Sequence, residues 1–347
     1  YNLNNIIINQ DTITTTDLIR RKWLNNDFGG IVFSLNHKIK SLELKIGGAL
    51  NHYSGQHYGN IIWSEYASNG DINHQYYWNK AEKLDRNIYA KGDYQINDAT
   101  NLFVDLQNRR ITYSFKGFDE EQNISQQEIN LDFFNPKFGV FHTLSNKQSV
   151  YASFAVGNKE PNRNDYVEST PTSRPLHETL YDTEIGYKKY GEKISLGINL
   201  YHMNYKNQLV LTGQINDVGA YTRTNIKKSF RQGIELEGIY KLNKKTTLNG
   251  NLTLSENKIN NFIEYIDNWD TWGQDSIIYE NTDLAFSPKI IWSTMINYKL
   301  NNNISLDLIS KYVGEQYIDN TSSKSRKLDD YLVNHLHVSY KWKSKST

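Results

Sequence analysis

The feature that most constrains this chain is an alternation of apolar and polar residues with a period of two. In segment 41–46, three apolar residues alternate with Glu43 and Lys45. The same pattern recurs further along the chain, in segments 102–109, 234–237 and 306–308. Because successive side chains of a β-strand point to opposite faces, each segment predicts a strand with one apolar and one charged face. Helical periodicity is almost absent, so the predicted fold class is all-β.

Segments of this kind number about 13. Their approximate centres are residues 32, 47, 89, 106, 139, 153, 184, 200, 235, 251, 293, 308 and 337. Short connectors lie between some of them, at 40–41, 97–100, 145–148, 190–192, 243–245 and 301–303. Long polar connectors separate the others, at 55–80, 116–128, 159–177, 213–224, 257–285 and 318–330. Strict short–long alternation predicts a large antiparallel up-and-down transmembrane β-barrel with tight periplasmic turns and long outer loops; a soluble sandwich rarely keeps it.

The two faces of these strands have different expected surroundings, because only hydrocarbon tolerates a continuous apolar band. The side chains expected to face lipid are Leu42, Leu44, Leu102, Val104, Leu106, Ile234, Leu236, Leu252, Leu254, Leu306, Leu308, Leu336 and Val338. The side chains expected to face the lumen are Glu43, Lys45, Asp105, Glu235, Glu237 and Asp307. Charged lumen residues are expected to pair with one another or with a plug.

A weak repeat marks three of the short turns, in the sequences Asp93-Tyr-Gln-Ile-Asn97, Ile239-Tyr-Lys-Leu-Asn243 and Asn297-Tyr-Lys-Leu-Asn301. The tyrosine of each repeat, together with Tyr187, Tyr340 and Trp342, predicts a ring of aromatic side chains at one membrane interface. A soluble propeller is the alternative, but its blades would carry a fixed motif every 40 to 50 residues or so, and none appears.

Composition narrows the function classes. The 39 basic and 38 acidic residues nearly cancel, so no charge excess favours a nucleic acid partner. The absence of cysteine excludes a disulfide framework and thiolate metal sites. No run of about 18 apolar residues occurs, which excludes a helical membrane span. The 25 tyrosines and 7 tryptophans suit the aromatic girdles of a barrel.

An odd strand count cannot close an antiparallel barrel, and the chain begins at Tyr1 without an initiator methionine or a signal peptide. We therefore expect an incomplete barrel fragment.

Several motifs resemble the barrel of TonB-dependent receptors. They are Lys159-Glu-Pro-Asn-Arg-Asn-Asp-Tyr166, Pro175-Leu-His-Glu178, and the segments 181–187, 201–210, 229–237 and 312–320. They occur in the family's order, and residues 1–150 fit more loosely. The resemblance implies that residues 1–347 are part of one receptor barrel in the bacterial outer membrane. The family's plug domain and its closing strands have no counterpart in this sequence.

The resemblance also implies active uptake of a scarce nutrient, such as a siderophore-bound iron, haem or cobalamin. The implied partners are outer-membrane lipids, a small nutrient ligand and the TonB–ExbB–ExbD complex, which would act through the plug. A surface lipoprotein is a further candidate. A passive porin and a barrel enzyme are the alternatives. His335 and His337 share a strand face, but no other ligand stands at metal spacing, and no Gly-x-Ser-x-Gly elbow occurs. We therefore predict no catalytic residue, no metal site and no cofactor.

The long outer loops are the expected place of ligand capture, because binding residues concentrate on loops carried by a rigid scaffold. Aromatic side chains there can stack on a flat or partly apolar ligand, and a guanidinium can bind an anion through two hydrogen bonds. The candidate ligand-binding residues are Trp63, Tyr66, Trp78, Arg163, Trp269 and Trp272. The aromatic candidates could equally form the outer girdle, and Arg163 could instead pair with Asp165 or Glu168.

Overall fold

The computed structural model describes residues 6–8, 11–66, 73–118, 124–167, 169, 174–215 and 221–342. In chain order the elements are β1 (Ile6–Ile8), β2 (Asp11–Ile13), β3 (Leu18–Ile39), β4 (Leu42–Ser64), β5 (His74–Asn97), β6 (Thr100–Phe118), β7 (Ile124–Ser145), β8 (Gln148–Lys159), α1 (Arg163–Val167), β9 (Glu178–Lys189), β10 (Ile194–Ile215), β11 (Tyr221–Lys241), β12 (Thr246–Asn268), β13 (Gly273–Asp283), β14 (Ile290–Lys299), β15 (Ile304–Val313), β16 (Gln316–Tyr317), β17 (Lys327–Leu328) and β18 (Tyr331–Tyr340). The predicted strand centres fall one in each of β3 to β12, β14, β15 and β18, so the alternation located the strands correctly.

Strands that follow one another in the chain are neighbours in one main sheet. Its order is β18-β15-β14-β12-β11-β10-β9-β8-β7-β6-β5-β4-β3, with β13 paired to β12 beside this path. Two small sheets, β1-β2 and β16-β17, complete the described strands. This up-and-down order confirms the predicted fold class.

The predicted short connectors are tight turns, and three of them share one device. The side-chain Oδ1 atoms of Asn97, Asn243 and Asn301 each accept two backbone N–H groups, two and three residues later, at 2.8–2.9 Å. Asparagine forms such turns readily because its amide imitates a backbone carbonyl. The repeat seen in the sequence therefore encodes the reversal of the chain at this end of the strands.

The prediction of long outer loops was wrong in extent for segments 55–80 and 257–285. Segment 257–285 forms the outer part of β12 and the whole of β13, and the turn between them is only 269–272. In segment 55–80, β4 continues to Ser64 and β5 begins at His74. β-branched and aromatic residues such as Ile259, Phe262 and Ile277 favour strands even where polar neighbours hide the alternation.

The strands have the two contrasting faces that the alternation predicts. On one face, Leu236 of β11 lies directly opposite Ile198 of β10 and Leu252 of β12. Leu236 and Ile198 are exposed. On the other face, Glu235 lies opposite Asn199 and within hydrogen-bond distance of its amide, at 3.4 Å. The first face is called the apolar face below, and the second the polar face.

Aromatic side chains lie near the short turns, as predicted. Tyr94, Tyr298, Tyr340 and Trp342 are exposed, and the rings of Tyr340 and Trp342 are 6.0 Å apart. Amphipathic aromatic rings suit a boundary between hydrocarbon and water. These exposed rings suit the predicted interfacial girdle, which stays a prediction.

The chain divides into two compact units. The first comprises Tyr1–Asn36, Lys45–Ala90 and Gln107–Phe133, and it buries Ile61, Ala81, Ile111 and Phe133. The second comprises His37–Leu44, Lys91–Leu106 and Phe134–Thr347. Its buried apolar cluster is formed by Val210, Ile226, Ile259, Phe262 and Leu284.

Candidate functional site

The tip of the β12–β13 hairpin presents two tryptophans. Trp269 and Trp272 are 73% and 86% exposed, and their rings meet edge to face with centroids 6.2 Å apart. Asn268 orders the turn, because its Oδ1 accepts the backbone N–H groups of Asp270 and Thr271 at 3.0 and 3.2 Å. Two large apolar rings are thus held out from the protein on an ordered turn.

The hairpin is anchored at its base and along one side. Ile259 and Phe262 of β12 belong to the buried apolar cluster of the second unit. Further out, the Gln274 side chain joins the hairpin to the end of β10. Its Nε2 donates to the Gly213 carbonyl at 2.7 Å, and its Oε1 accepts from the Ile215 N–H at 2.8 Å. The tryptophan pair therefore stands on a braced support.

A charged cluster joins the hairpin to the β16–β17 pair. Arg326 donates to Glu264 and, at 2.9 Å, to Asp319, while the Tyr279 hydroxyl donates to the second oxygen of Glu264 at 2.9 Å. Burial raises the pKa of Asp319, but the hydrogen bonds from Thr321 and Arg326 outweigh it, so this pKa lies below its usual value. Hydrogen bonding to Glu264 raises the pKa of Tyr279. The cluster thus favours the ionised form of Asp319.

The rim motif after β8 contains a second clamp. Asp165, in α1, is buried; its Oδ1 accepts a hydrogen bond from Arg223 Nε at 2.8 Å, and its Oδ2 accepts a second from Arg223 Nη2. The hydrogen bond to Asp165 raises the pKa of Arg223. Asp165 also accepts the Asn162 N–H at 2.7 Å. The ion pair that Asp165 forms is thus with Arg223 of β11.

Arg163, the candidate anion-binding residue, is the first residue of α1 and is half-buried. Glu168, one of its two expected partners, lies outside the described residues. Its role as a ligand contact stays a prediction.

The other candidates lie in the first unit. Trp63 is exposed near the outer end of β4. Tyr66 follows two residues after that strand and is half-buried, and its N–H donates to Thr16 Oγ1 at 2.8 Å. Trp78, in β5, is half-buried. Trp63 resembles the hairpin tryptophans in exposure, whereas Tyr66 and Trp78 are partly covered by protein.

The polar face of the second unit carries a connected network. The Tyr151 hydroxyl donates to Asn199 Oδ1 at 3.0 Å, and the Asn199 amide lies 3.3 Å from Glu184 and 3.4 Å from Glu235. Nearby, Lys188 lies 3.9 Å from Glu237. A groove of about 350 Å³ runs along these residues. Lys188 and Glu237 are one pair of the kind expected on this face, whereas Glu184 and Glu235 contact the Asn199 amide.

In the described ranges, no helix is both long enough and apolar enough for a membrane span. Within the same ranges, no group of three or more histidine, aspartate or glutamate side chains is placed to hold a metal ion.

The main sheet is antiparallel and up-and-down, with one exposed apolar face and one polar face. Its outer strand ends carry a hairpin and clusters of ion pairs. These features are those of the wall of a membrane barrel. The family model described as TonB dependent receptor-like, beta-barrel matches residues 1–347. The chain belongs to this family of receptors and transporters, whose barrels lie in the bacterial outer membrane.

Solved structures with the same fold include three transport proteins. The ferric yersiniabactin uptake receptor FyuA from Yersinia pestis is 13% identical with a TM-score of 0.64, and the match covers 92% of this chain and 47% of that one. The siderophore receptor PiuA from Acinetobacter baumannii is 12% identical with a TM-score of 0.70, covering 93% and 50%. The copper transporter OprC is 14% identical with a TM-score of 0.70, also covering 93% and 50%. This chain thus spans about half the length of the structures it matches.

The structure brings Trp269 and Trp272 into direct contact and places Trp63 and Tyr66 near the same strand end. Arg223 and Arg326 organise the rim, and no sequence motif indicated either of them. Their partners Asp165 and Glu264 are 58 and 62 residues away along the chain. No local pattern marks such pairs.

Proposed function

We propose that this chain forms part of the wall and outer rim of a receptor that imports a chelated metal across the outer membrane. Siderophore-bound iron is the first candidate ligand, and haem and cobalamin are the next. The observation that carries the proposal is the exposed tryptophan pair at the tip of the β12–β13 hairpin.

Exposed aromatic rings at a braced tip are unfavourably hydrated in water, which favours a role in binding. Burying a large aromatic side chain on a ligand recovers free energy in proportion to the apolar area covered, about 25 cal/mol per Å². Stacking adds a preference for flat, partly apolar surfaces. Metal chelates with organic rings offer such surfaces. One matching structure is named a ferric yersiniabactin uptake receptor, another a siderophore receptor and a third a copper transporter, which supports a metal complex as the class of ligand.

The proposed energy source is the TonB–ExbB–ExbD complex, acting through a plug domain of the full-length receptor. The polar groove along Tyr151, Asn199 and Glu235 offers hydrogen-bonding groups to a plug. Uptake should stop in a strain that lacks TonB. Uptake that continues at the same rate there would indicate a passive porin instead.

The ligand-binding experiment uses the full-length receptor and ferric chelates of the catecholate, hydroxamate and carboxylate classes. Replacing Trp269 and Trp272 together by alanine should weaken binding of the transported chelate by at least about 1 kcal/mol per buried ring. Trp342→Ala is the matched control, because Trp342 is also exposed but lies beyond β18 at the short-turn end. Equal affinity of the double variant and the control would remove the hairpin from the binding site. The same measurement on Trp63→Ala and Arg163→Gln tests the remaining candidates.

A further inference from the structure

Two lysines face each other at the outer end of the apolar face. Lys206 of β10 and Lys228 of β11 are direct cross-strand partners, and both are exposed. They continue the even-numbered series that contains Leu200 and Ile234. Like charges placed directly opposite on neighbouring strands destabilise a sheet. The pair therefore favours an anion between the two ammonium groups.

No acid of the described residues neutralises this pair. Glu178 lies 3.4 Å from Lys159, and Asp283 lies 2.9 Å from Lys258. Glu256, on the apolar face below the lysines, accepts a hydrogen bond from Gln232 at 2.8 Å. Lys206 is also near His177, whose pKa is lowered first by burial and then by this lysine. The electrostatic potential at the lysine pair is thus positive.

The height of the pair on the strands matches the edge of a bilayer. A tilted transmembrane strand needs about 9 to 11 residues to cross the hydrocarbon. Counted from the short-turn ends, at Ile194 of β10 and Tyr240 of β11, that length reaches roughly residue 204 and residue 230. Lys206 and Lys228 are the next residues of the same face on each strand. They therefore lie just outside the apolar band.

Between the apolar residues and the lysines, the face carries polar side chains together with one aromatic ring, that of Phe230 opposite Asn204. After Leu200 and Ile234, the next residues of the face are His202 and Gln232, whose side chains are 3.1 Å apart. The Asn204 amide lies 2.8 Å from the other nitrogen of His202. From its centre to its outer surface, a leaflet of phosphorylated lipids presents hydrocarbon first, then hydrogen-bonding groups and then anionic groups.

We propose that the Lys206–Lys228 pair binds the phosphate of a phosphorylated lipid headgroup in the outer leaflet. The acyl chains of that lipid would cover Leu200 and Ile234, and its headgroup would reach the hydrogen-bonding layer. This binding surface faces away from the polar face and is independent of the nutrient that the receptor carries.

The test uses the full-length receptor, delipidated in a neutral detergent. Its probes are a bisphosphorylated acyl-disaccharide lipid, the same lipid without phosphates, and inorganic phosphate. Native mass spectrometry measures the fraction of receptor with bound lipid at each concentration. An interfacial lysine contributes on the order of 1 kcal/mol to the binding of anionic lipid. The double change Lys206→Gln and Lys228→Gln should therefore lower the affinity of the receptor for the phosphorylated lipid by about tenfold to thirtyfold. The phosphate-free lipid should bind weakly to every form.

Lys244→Gln is the matched control, because Lys244 is exposed but lies in the short turn between β11 and β12, at the other end of these strands. It should bind like the unaltered receptor, as should the charge-preserving change Lys206→Arg with Lys228→Arg. If the double glutamine variant fails to fold, each single variant should still show a loss of about fivefold. Equal binding of the phosphorylated lipid by the glutamine variants and the control would overturn the proposal. Displacement of the bound phosphorylated lipid by inorganic phosphate alone would also overturn the proposal, because it would indicate a site for a soluble anion.

Discussion

Arg223 of β11 holds the buried carboxylate of Asp165 through two hydrogen bonds, one of them 2.8 Å long from Nε to Oδ1. The contact connects strand β11 to the short helix that follows β8, across 58 residues of sequence. Because Asp165 is 5% exposed, its charge depends on this partner and on the Asn162 N–H for compensation. One arginine thereby fixes the position of the rim motif that contains Arg163.

Removal of this arginine should release the rim motif. In Arg223→Met the buried carboxylate of Asp165 loses its counter-charge, and breaking a buried pair from one side costs about 3 to 5 kcal/mol. Amide hydrogen exchange of α1 should rise in the full-length receptor, while exchange in β14 and β15 stays unchanged. Arg223→Lys keeps the charge but loses the fork geometry, so an intermediate rise is expected. Unchanged protection of α1 in Arg223→Met would contradict this role.

The charged cluster around Arg326 should make the β16–β17 pair sensitive to acid. The folded-state pKa of Asp319 lies below its usual value of 3.8. Its ionised form therefore stabilises the docked state above that value, and this stabilisation is lost as the pH falls through the folded-state pKa. Spin labels at the exposed positions Glu280 and Lys324 should show one distance at pH 7 and a broadened distribution once the pH has been lowered through the folded-state pKa of Asp319.

The control for this experiment is Asp319→Asn, which cannot titrate at that position. Its distance distribution should already be broader at pH 7 and should change less between the two pH values. A wild-type distribution that is identical at both pH values would show that the cluster does not depend on the carboxylate charge.

Glycine in β9 should be required where a tyrosine ring covers it. A methyl group on Gly186 would lie 2.1 Å from a ring carbon of Tyr151, its direct partner on β8. Gly186→Ala should therefore displace Tyr151, break its hydrogen bond to Asn199, and cost about 1 to 3 kcal/mol. Reversible unfolding in urea, with the full-length receptor in lipid vesicles, measures this loss.

Gly157 of β8 provides the comparison, because a Cβ there meets no atom within 4 Å. Gly157→Ala should leave stability unchanged or raise it slightly, since alanine restricts the unfolded chain. A similar loss in both variants would mean that the cost comes from backbone strain in these strands rather than from the ring over Gly186.

The turn asparagines show how much could be predicted locally. Asn97, Asn243 and Asn301 close their turns with hydrogen bonds to residues two and three positions later, so the repeat in the sequence carries the information for the structure. The outer hairpin shows the limit. In β13, Ile277 and Ile278 are adjacent and the alternation is broken, so only pairing with β12 reveals the strand.

The amino-acid sequence by itself determined the positions of the long strands, their two faces and the short turns, because each depends on residues within a few positions of one another. The tertiary structure alone decided the rim. The pairs Arg223–Asp165 and Arg326–Glu264, and the facing lysines Lys206 and Lys228, form only when the register of neighbouring strands is set. The charge of a side chain follows from its residue type, whereas its ion-pair partner is fixed only by the folded structure.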